Sequence, residues 1–176
     1  MASRIFIALL PDGALRESIA ALRDQWHWPG RAGPVKTLRL HVTLHFLGEM
    51  EPDPLAALTE ALNVPFEPFA LRLATPAISP HGMAVLEQDA VPPPLFALHA
   101  SLARVLRDLD LPVDERPFRA HAPCARQARA AREWRHATRC GMRHRLAGRR
   151  LRPDVIHNQP NQPGKRLHGP AVTTGG

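Results

Sequence analysis

The hydrophobic pattern of this chain is regular as far as residue 121 and then stops. Up to that point, apolar residues alternate or recur at helical spacing in one segment after another. Among the 55 residues from 122 to 176, Ile, Val, Leu, Met and Phe together number seven, and they follow neither pattern. Such a segment buries too little apolar surface to offset the entropy of ordering it. We therefore expect a folded domain over 1–121 and a disordered, arginine-rich segment over 122–176.

Short segments rich in β-formers and helical patterns follow one another within residues 1–121. The patterns predict strands at 4–10, 38–48, 66–75 and 83–88, and a further strand that begins at 118–121. They predict helices over 13–25, with Asp12 as N-cap, over 53–63, and over 95–109, with Phe96 on the apolar face. Elements in this mixed order indicate an α+β fold in which helices cover one side of each sheet.

The charge is divided in the same way as the hydrophobic pattern. The formal net charge is +7, but residues 1–116 contain 10 Lys or Arg and 14 Asp or Glu, whereas residues 117–176 contain 13 and 2. A basic segment of this kind attracts phosphate in a salt-dependent way without selecting a sequence. Because Trp134 is the one aromatic residue in 122–176, this segment offers almost no surface on which bases could stack.

The N-terminal residues and the cysteines argue against several classes of protein. The apolar run after Arg4 ends before Asp12, which is too short for a membrane span, and no small-residue cleavage site follows it. Cys124 and Cys140 have neither CxxC spacing nor enough partners for a zinc site. We therefore expect a cytoplasmic protein that does not associate with membranes and has no zinc site. We also expect a monomer.

The first candidate for chemistry is the segment His41-Val42-Thr43-Leu44. Because side chains alternate along a strand, His41 and Thr43 are expected on one face, with Val42 and Leu44 directed into the core. An imidazole gives or takes a proton near neutral pH, and a hydroxyl hydrogen-bonds a phosphate oxygen. A single histidine in an apolar strand is more often structural, so this motif needs a partner.

The second candidate is His121, about eighty residues later, which also follows a strand-like approach, RPFRA. Two histidines on equivalent strands would place an acid and a base on opposite sides of one phosphate. Opening a cyclic phosphodiester requires this pair, since one group deprotonates the attacking water and the other protonates the departing ribose oxygen. The charged transition state also needs hydrogen-bond donors, such as a Thr or Arg beside each histidine.

Residues 4–121 resemble a bacterial RNA 2′,3′-cyclic phosphodiesterase, a branch of the 2H phosphoesterases formerly called 2′-5′ RNA ligases. The matching segments are RIFIALLPDGALR, LRLHVTLHFLGE and the helix that precedes RPFRAH. The resemblance implies a bilobal fold with two antiparallel sheets around a central cleft, helices outside, and one His-x-Thr-x motif in each lobe. It also implies hydrolysis of RNA 2′,3′-cyclic phosphate ends, or of cyclic nucleotides, to 2′-phosphates without a metal or cofactor.

Roles follow from the same resemblance, residue by residue. His41 is expected to be the proton donor and His121 the proton acceptor. Thr43 is expected to bind the substrate phosphate, and Arg126 to contact it as well.

The second motif departs from the family pattern, because His121 is followed by Ala-Pro-Cys-Ala-Arg. Pro123 has neither a hydroxyl nor an N–H, so it cannot replace threonine, and it weakens a central strand. Loss of one base from codons for HVTL would give His-Ala-Pro-Cys, and such a frameshift would also explain the patternless segment downstream. Because Ala125 and Arg126 fit the family as they stand, divergence by substitution is the alternative. If the frameshift explanation is right, we expect an incomplete second lobe and weak or absent activity.

Three other interpretations apply to the same residues. The alternative function is binding of RNA ends, through the basic tail, by a catalytically inactive protein. His45 could share the cleft face with Thr43, although a partly exposed strand histidine is the simpler expectation. The spacing of His41 and His45 also fits helical zinc ligands, but the segment is strand-like and no Glu follows His41, which argues against a metalloprotease.

Overall fold

The computed structural model describes residues 3–51, 53–131, 142–146 and 154–158, the last two segments through their backbone pairing alone. Three helices are described: α1 (Gly13–Asp24), α2 (Asp53–Ala61) and α3 (Pro93–Asp108). The strands are β1 (Ser3–Leu9), β2 (Gly33–Pro34), β3 (Val42–Met50), β4 (Phe69–Ile78), β5 (Ala84–Gln88), β6 (His121–Arg126), β7 (Met142–Leu146) and β8 (Asp154–Asn158). This mixture of helices and strands confirms the predicted α+β class.

The described strands form two antiparallel sheets, as expected. The first has the order β3-β1-β8, and the second has the order β2-β6-β5-β4-β7. The two histidine motifs are divided between the sheets, since one belongs to β3 and the other to β6. These two strands nevertheless contact each other, so the sheets meet where the motifs lie.

The core forms where the helices cover the sheets. Helix α1 begins where predicted, because Asp12 Oδ1 accepts a hydrogen bond from the backbone N–H of Leu15 at 2.8 Å and so caps the first turn. The apolar face of α3 is buried at Leu95, Leu98, Leu102 and Leu106. Phe96 does not belong to this face and is 56% exposed, so its predicted place in the core is wrong. None of the described helices is long and apolar enough to cross a membrane.

Strand β6 carries the second sheet past His121. Residues 122–125 are all buried, and the strand pairs with β5 on one side and with β2 on the other. The second sheet has five described strands, and β6 continues past His121, the residue after which the domain boundary was expected. That boundary and the incomplete second lobe stay predictions. Most of the remaining residues in 122–176 lie outside the described residues, so their disorder stays a prediction.

Pro123 fits into this strand because of the edge that it faces. The carbonyl of Ala120 accepts a hydrogen bond from the N–H of Gln88, next to β5, at 3.2 Å. Since backbone groups alternate between the two edges of a strand, Pro123 turns its nitrogen away from β5. On that other edge, the pairs described between β2 and β6 involve Ala125 and Arg126, which lie beyond Pro123. The missing N–H therefore removes no hydrogen bond between β5 and β6.

Candidate active site

His41 lies immediately before β3 and has a fixed ring orientation. Its Nδ1 is 2.7 Å from the carbonyl oxygen of Arg39, so Nδ1 carries the proton and donates it to that carbonyl. The ring stacks on Phe6 of β1, with centroids 4.7 Å apart and planes inclined by 29°. His41 is half-buried between Leu40 and Val42, which are both buried. Nε2 is the nitrogen left to act on a ligand.

His121 repeats this arrangement in the other sheet. Its Nδ1 is 2.9 Å from the carbonyl oxygen of Arg119, again two residues earlier in the chain. The neighbours of His121 on both sides, Ala120 and Ala122, are fully buried. Both histidines therefore stand at the start of a strand with the same tautomer and a free Nε2. The repeat of Arg-x-His at 39–41 and 119–121 is visible in the sequence, although the His-x-Thr-x motif comprises only the residues from each histidine onward.

The two histidines are close enough for the charge of one to affect the other. Burial is the main cause that lowers the pKa of His41, and the hydrogen bond to the carbonyl of Arg39 opposes it. The positive charges of His121 and Arg126 lower the pKa of His41 further. The structure thus brings His41, His121 and Arg126 into one neighbourhood, and their catalytic and binding roles stay predictions.

Thr43 lies on the same face of the strand as His41, which immediately precedes β3. It is half-buried, whereas its neighbours Val42 and Leu44 are 3% and 4% exposed. Thr43 pairs with Ala8 of β1. Thr43 is therefore two residues beyond His41, on a strand that pairs with β1, the central strand of the first sheet.

A β-bulge at Leu44 turns His45 away from this face. Thr43 pairs with Ala8, but His45 pairs with Ile7, which points to the opposite face of β1. His45 is 1% exposed, and its Nε2 lies 3.0 Å from the carbonyl oxygen of His99 in α3. The expectation that His45 is partly exposed, or shares the cleft face, is therefore wrong. It rested on an alternation that the bulge interrupts.

Three stacked rings join the segments that carry the two motifs. The rings of His45 and His99 are 4.0 Å apart between centroids, and those of His99 and Phe118 are 4.2 Å apart. Phe118 lies three residues before His121, so this ring stack connects β3 through α3 to the start of β6. Burial lowers the pKa of His99 to about 4, and the charge of His45 contributes to the shift. Burial also lowers the pKa of His45, so both imidazoles are neutral at neutral pH.

The residues after His121 supply a different set of groups from those after His41. Pro123 takes the position that Thr43 has in the first motif and offers no hydroxyl. Burial raises the pKa of the Cys124 thiol to about 12, so this group is protonated and is not a nucleophile at neutral pH. Arg126 is exposed at the end of β6. The site therefore has one hydroxyl and one guanidinium beside two imidazoles.

Metal ligands do not cluster in the part of the chain that the structure describes. No group of three or more His, Cys, Asp or Glu side chains there has the arrangement to hold an ion. What the site offers is two imidazoles with free Nε2 atoms and two hydrogen-bond donors. Such a set can exchange protons with a bound anion and neutralise part of its charge.

Comparison with known proteins gives matches in both sequence and structure. No protein-family model matches the chain. Over 69 residues it is 33% identical to the RNA 2′,3′-cyclic phosphodiesterase of Archaeoglobus fulgidus, and this match spans 39% of each protein. A crystal structure described as a phosphoesterase is 20% identical and has a TM-score of 0.73, over 96% of this chain and 97% of that one.

Two further structures give the same result. The structure of E. coli LigT complexed with 3′-AMP is 22% identical, with a TM-score of 0.72 over 99% of this chain and 100% of that one. The protein TT0787 of Thermus thermophilus is 20% identical, with a TM-score of 0.66 over 94% of this chain and 95% of that one. These similarities confirm the resemblance to the 2H phosphoesterase superfamily and the fold that it implies.

Proposed function

We propose that this chain, which has the LigT-like 2H phosphoesterase fold, hydrolyses the 2′,3′-cyclic phosphate at the end of an RNA by acid–base catalysis. The observation that carries the proposal is the repeated geometry of His41 and His121. Each ring donates from Nδ1 to the carbonyl two residues before it, which leaves both Nε2 atoms available. The two histidines come from different sheets, and their strands meet.

The proposed reaction uses one histidine for each proton transfer. Nε2 of His121 takes a proton from water as the water oxygen bonds to phosphorus. His41, as the imidazolium, gives its Nε2 proton to the ribose 3′-oxygen as the bond from phosphorus to that oxygen breaks. The products are a 2′-phosphate and a 3′-hydroxyl. Exchange with solvent returns the proton from His121 to the medium and recharges His41.

The lowered pKa of His41 bears on its role as the acid. In the free protein, burial and the neighbouring positive charges disfavour the imidazolium. A bound phosphodiester carries a negative charge, which favours the charged form and raises the pKa of a nearby histidine. We therefore infer that substrate binding itself places the proton on His41.

Thr43 and Arg126 would bind the phosphate. The Thr43 hydroxyl donates one hydrogen bond to a phosphate oxygen, and the Arg126 guanidinium donates charge-assisted hydrogen bonds from the β6 side. Pro123 gives the His121 side no hydroxyl. We therefore expect turnover to be lower than that of a site with a threonine in each motif.

The substrate class rests on the relatives and on the chemistry of the site. The protein that matches 69 residues of this sequence is named an RNA 2′,3′-cyclic phosphodiesterase. The LigT structure contains 3′-AMP, a nucleotide with a terminal phosphate. Free Nε2 atoms on two sides of an anion fit a strained cyclic diester, because it needs a base on one side and an acid on the other.

The absence of a hydroxyl at Pro123 favours a second candidate function. A site that keeps two imidazoles, one hydroxyl and one guanidinium can still bind a terminal phosphate without turning it over. This protein would recognise RNA ends, and its basic C-terminal segment would add salt-dependent affinity. Turnover separates this binding protein from the enzyme.

The test compares purified wild type with His41→Ala and His121→Ala on 2′,3′-cyclic AMP and on an oligoribonucleotide with a cyclic phosphate end. We expect wild type to release the 2′-phosphate, and each substitution to lower the rate about 10²- to 10⁴-fold. His81→Ala is the matched control, since His81 is exposed in the turn between β4 and β5. Turnover that survives both active-site substitutions would refute the mechanism. Wild type that binds the oligonucleotide without turnover would establish the binding protein instead.

A further inference from the structure

The stack of His45, His99 and Phe118 lies behind the candidate site rather than in it. The bulge in β3 directs His45 to the face opposite to that of Thr43. His45 is 1% exposed and is covered by the ring of His99, which in turn stacks on Phe118. Any effect of the stack on the site must therefore pass through the chain segments that carry the two histidine motifs.

The outer rings of the stack are attached close to the two histidines of the site. His45 is four residues after His41, and Phe118 is three residues before His121. Since β3 and β6 belong to different sheets, the hydrogen bonds within each sheet fix one histidine relative to its own sheet and not relative to the other. The separation of the outer rings therefore bears directly on the separation of His41 and His121.

That separation is defined by the flat ring of His99 in the middle. The ring centroids are 4.0 and 4.2 Å apart along the stack, and successive planes are inclined by only 19° and 23°. Rings in such close contact cannot be pressed together, and a branched side chain of similar volume is thicker than a flat ring. A branched residue in the middle would therefore push His45 and Phe118 apart.

We propose that His99 is a positioning residue whose ring sets the distance between His41 and His121. It touches neither the substrate nor the reacting atoms and acts through the segments on either side of it. This inference rests on the proposed function and adds the residue that aligns the two histidines. Both imidazoles must reach one phosphate together, and a displacement of about 1 Å at a distance from the chemistry can lower a rate about 10²-fold.

The first test compares two substitutions of His99. His99→Phe keeps a flat ring, whereas His99→Leu keeps a similar volume without one. Both remove the ionisable group and the hydrogen bond between the ring and the backbone of Leu44, so the pair isolates the effect of ring shape. His99→Leu should lower kcat for 2′,3′-cyclic AMP about 10²-fold. KM should change less, because Thr43 and Arg126 each keep the phosphate contact proposed for them. His99→Phe should retain most of the wild-type rate.

The second test needs no turnover, because it follows the titration of the His41 ring by NMR. In the wild-type background, His121→Ala should raise the pKa of His41, since it removes a neighbouring positive charge that lowers this pKa. The size of the rise reports how close the two rings are. The rise should persist in the presence of His99→Phe and shrink in the presence of His99→Leu.

Leu58→Ala is the control for a loss of stability alone. Leu58 is a fully buried residue of α2 and does not belong to the stack. Its substitution leaves a cavity in the core and should lower the melting temperature. Below that temperature, Leu58→Ala should leave both kcat and the rise in the pKa of His41 unchanged.

Each other outcome overturns a defined part of the proposal. If His99→Leu keeps both the wild-type kcat and the full rise in pKa, His99 does not position the two histidines. If His99→Phe loses as much as His99→Leu, the shape of the ring is not what matters. Equal losses in Leu58→Ala would reduce the effect to general stability. If wild type hydrolyses no cyclic phosphate, the proposed function fails, and the titrations of His41 still decide whether His99 sets the distance.

Discussion

The stack of His45, His99 and Phe118 predicts a fold that weakens in mild acid. Burial lowers the pKa of His99 from 6.5 to about 4, so the folded chain favours the neutral imidazole. A group with a lowered folded pKa of this kind stabilises the fold fully above pH 6.5 and loses that contribution as pH falls towards 4. Between pH 7 and pH 5, the loss from His99 alone amounts to about 2 kcal/mol. Asp114 opposes the shift, and His45, with its own lowered pKa, adds to it.

Thermal unfolding at the two pH values measures this effect directly. For a chain of 176 residues, about 2 kcal/mol corresponds to a fall in melting temperature of roughly 4–8 °C. His99→Phe keeps a ring in the stack but removes the ionisable group, so its loss between pH 7 and pH 5 should be smaller by that amount. His81→Phe, at an exposed position, should keep the wild-type pH dependence. If His99→Phe loses as much stability in acid as wild type does, the reasoning is refuted.

Four further outcomes are expected. Thr43→Val should lower kcat/KM for 2′,3′-cyclic AMP about 10- to 100-fold at an unchanged melting temperature, because it removes a donor to the phosphate; an unaltered rate would exclude that contact. Pro123→Thr should raise kcat about tenfold by restoring the second hydroxyl, as measured by chromatography of the 2′-phosphate product. A variant no faster than wild type would contradict this role for the hydroxyl. Asp12→Ala should reduce the free energy of unfolding in urea by about 1 kcal/mol through loss of the α1 cap. Turnover should be the same with and without excess EDTA, and a loss on chelation would implicate a metal.

Local chemistry explains which parts of the fold the sequence predicts well. Helix α1 was predicted over 13–25 and spans Gly13–Asp24, because Asp12 satisfies the N–H of Leu15 and needs no distant partner. Strand β3 was predicted over 38–48 and spans Val42–Met50. The His41 and Thr43 face follows from the two-residue period of a strand, which holds as far as the bulge.

The features that the sequence did not predict depend on contacts between distant segments. The bulge at Leu44 is set by the pairing of β3 with β1, and it reverses the side to which His45 points. Pro123 is tolerated because no described strand pairs with it on the edge that it faces, which no local pattern records. On α3, Leu95 rather than Phe96 belongs to the buried face, since the choice between adjacent apolar residues depends on where the helix packs.

The most direct test of two histidines acting on one phosphate is a crystal structure with adenosine 2′-phosphate, the product of the proposed reaction. The account predicts Nε2 of His41 and Nε2 of His121 each about 2.6–3.2 Å from oxygens on opposite sides of the same phosphate. A phosphate that touches only one of the two rings, or that binds elsewhere, would contradict it.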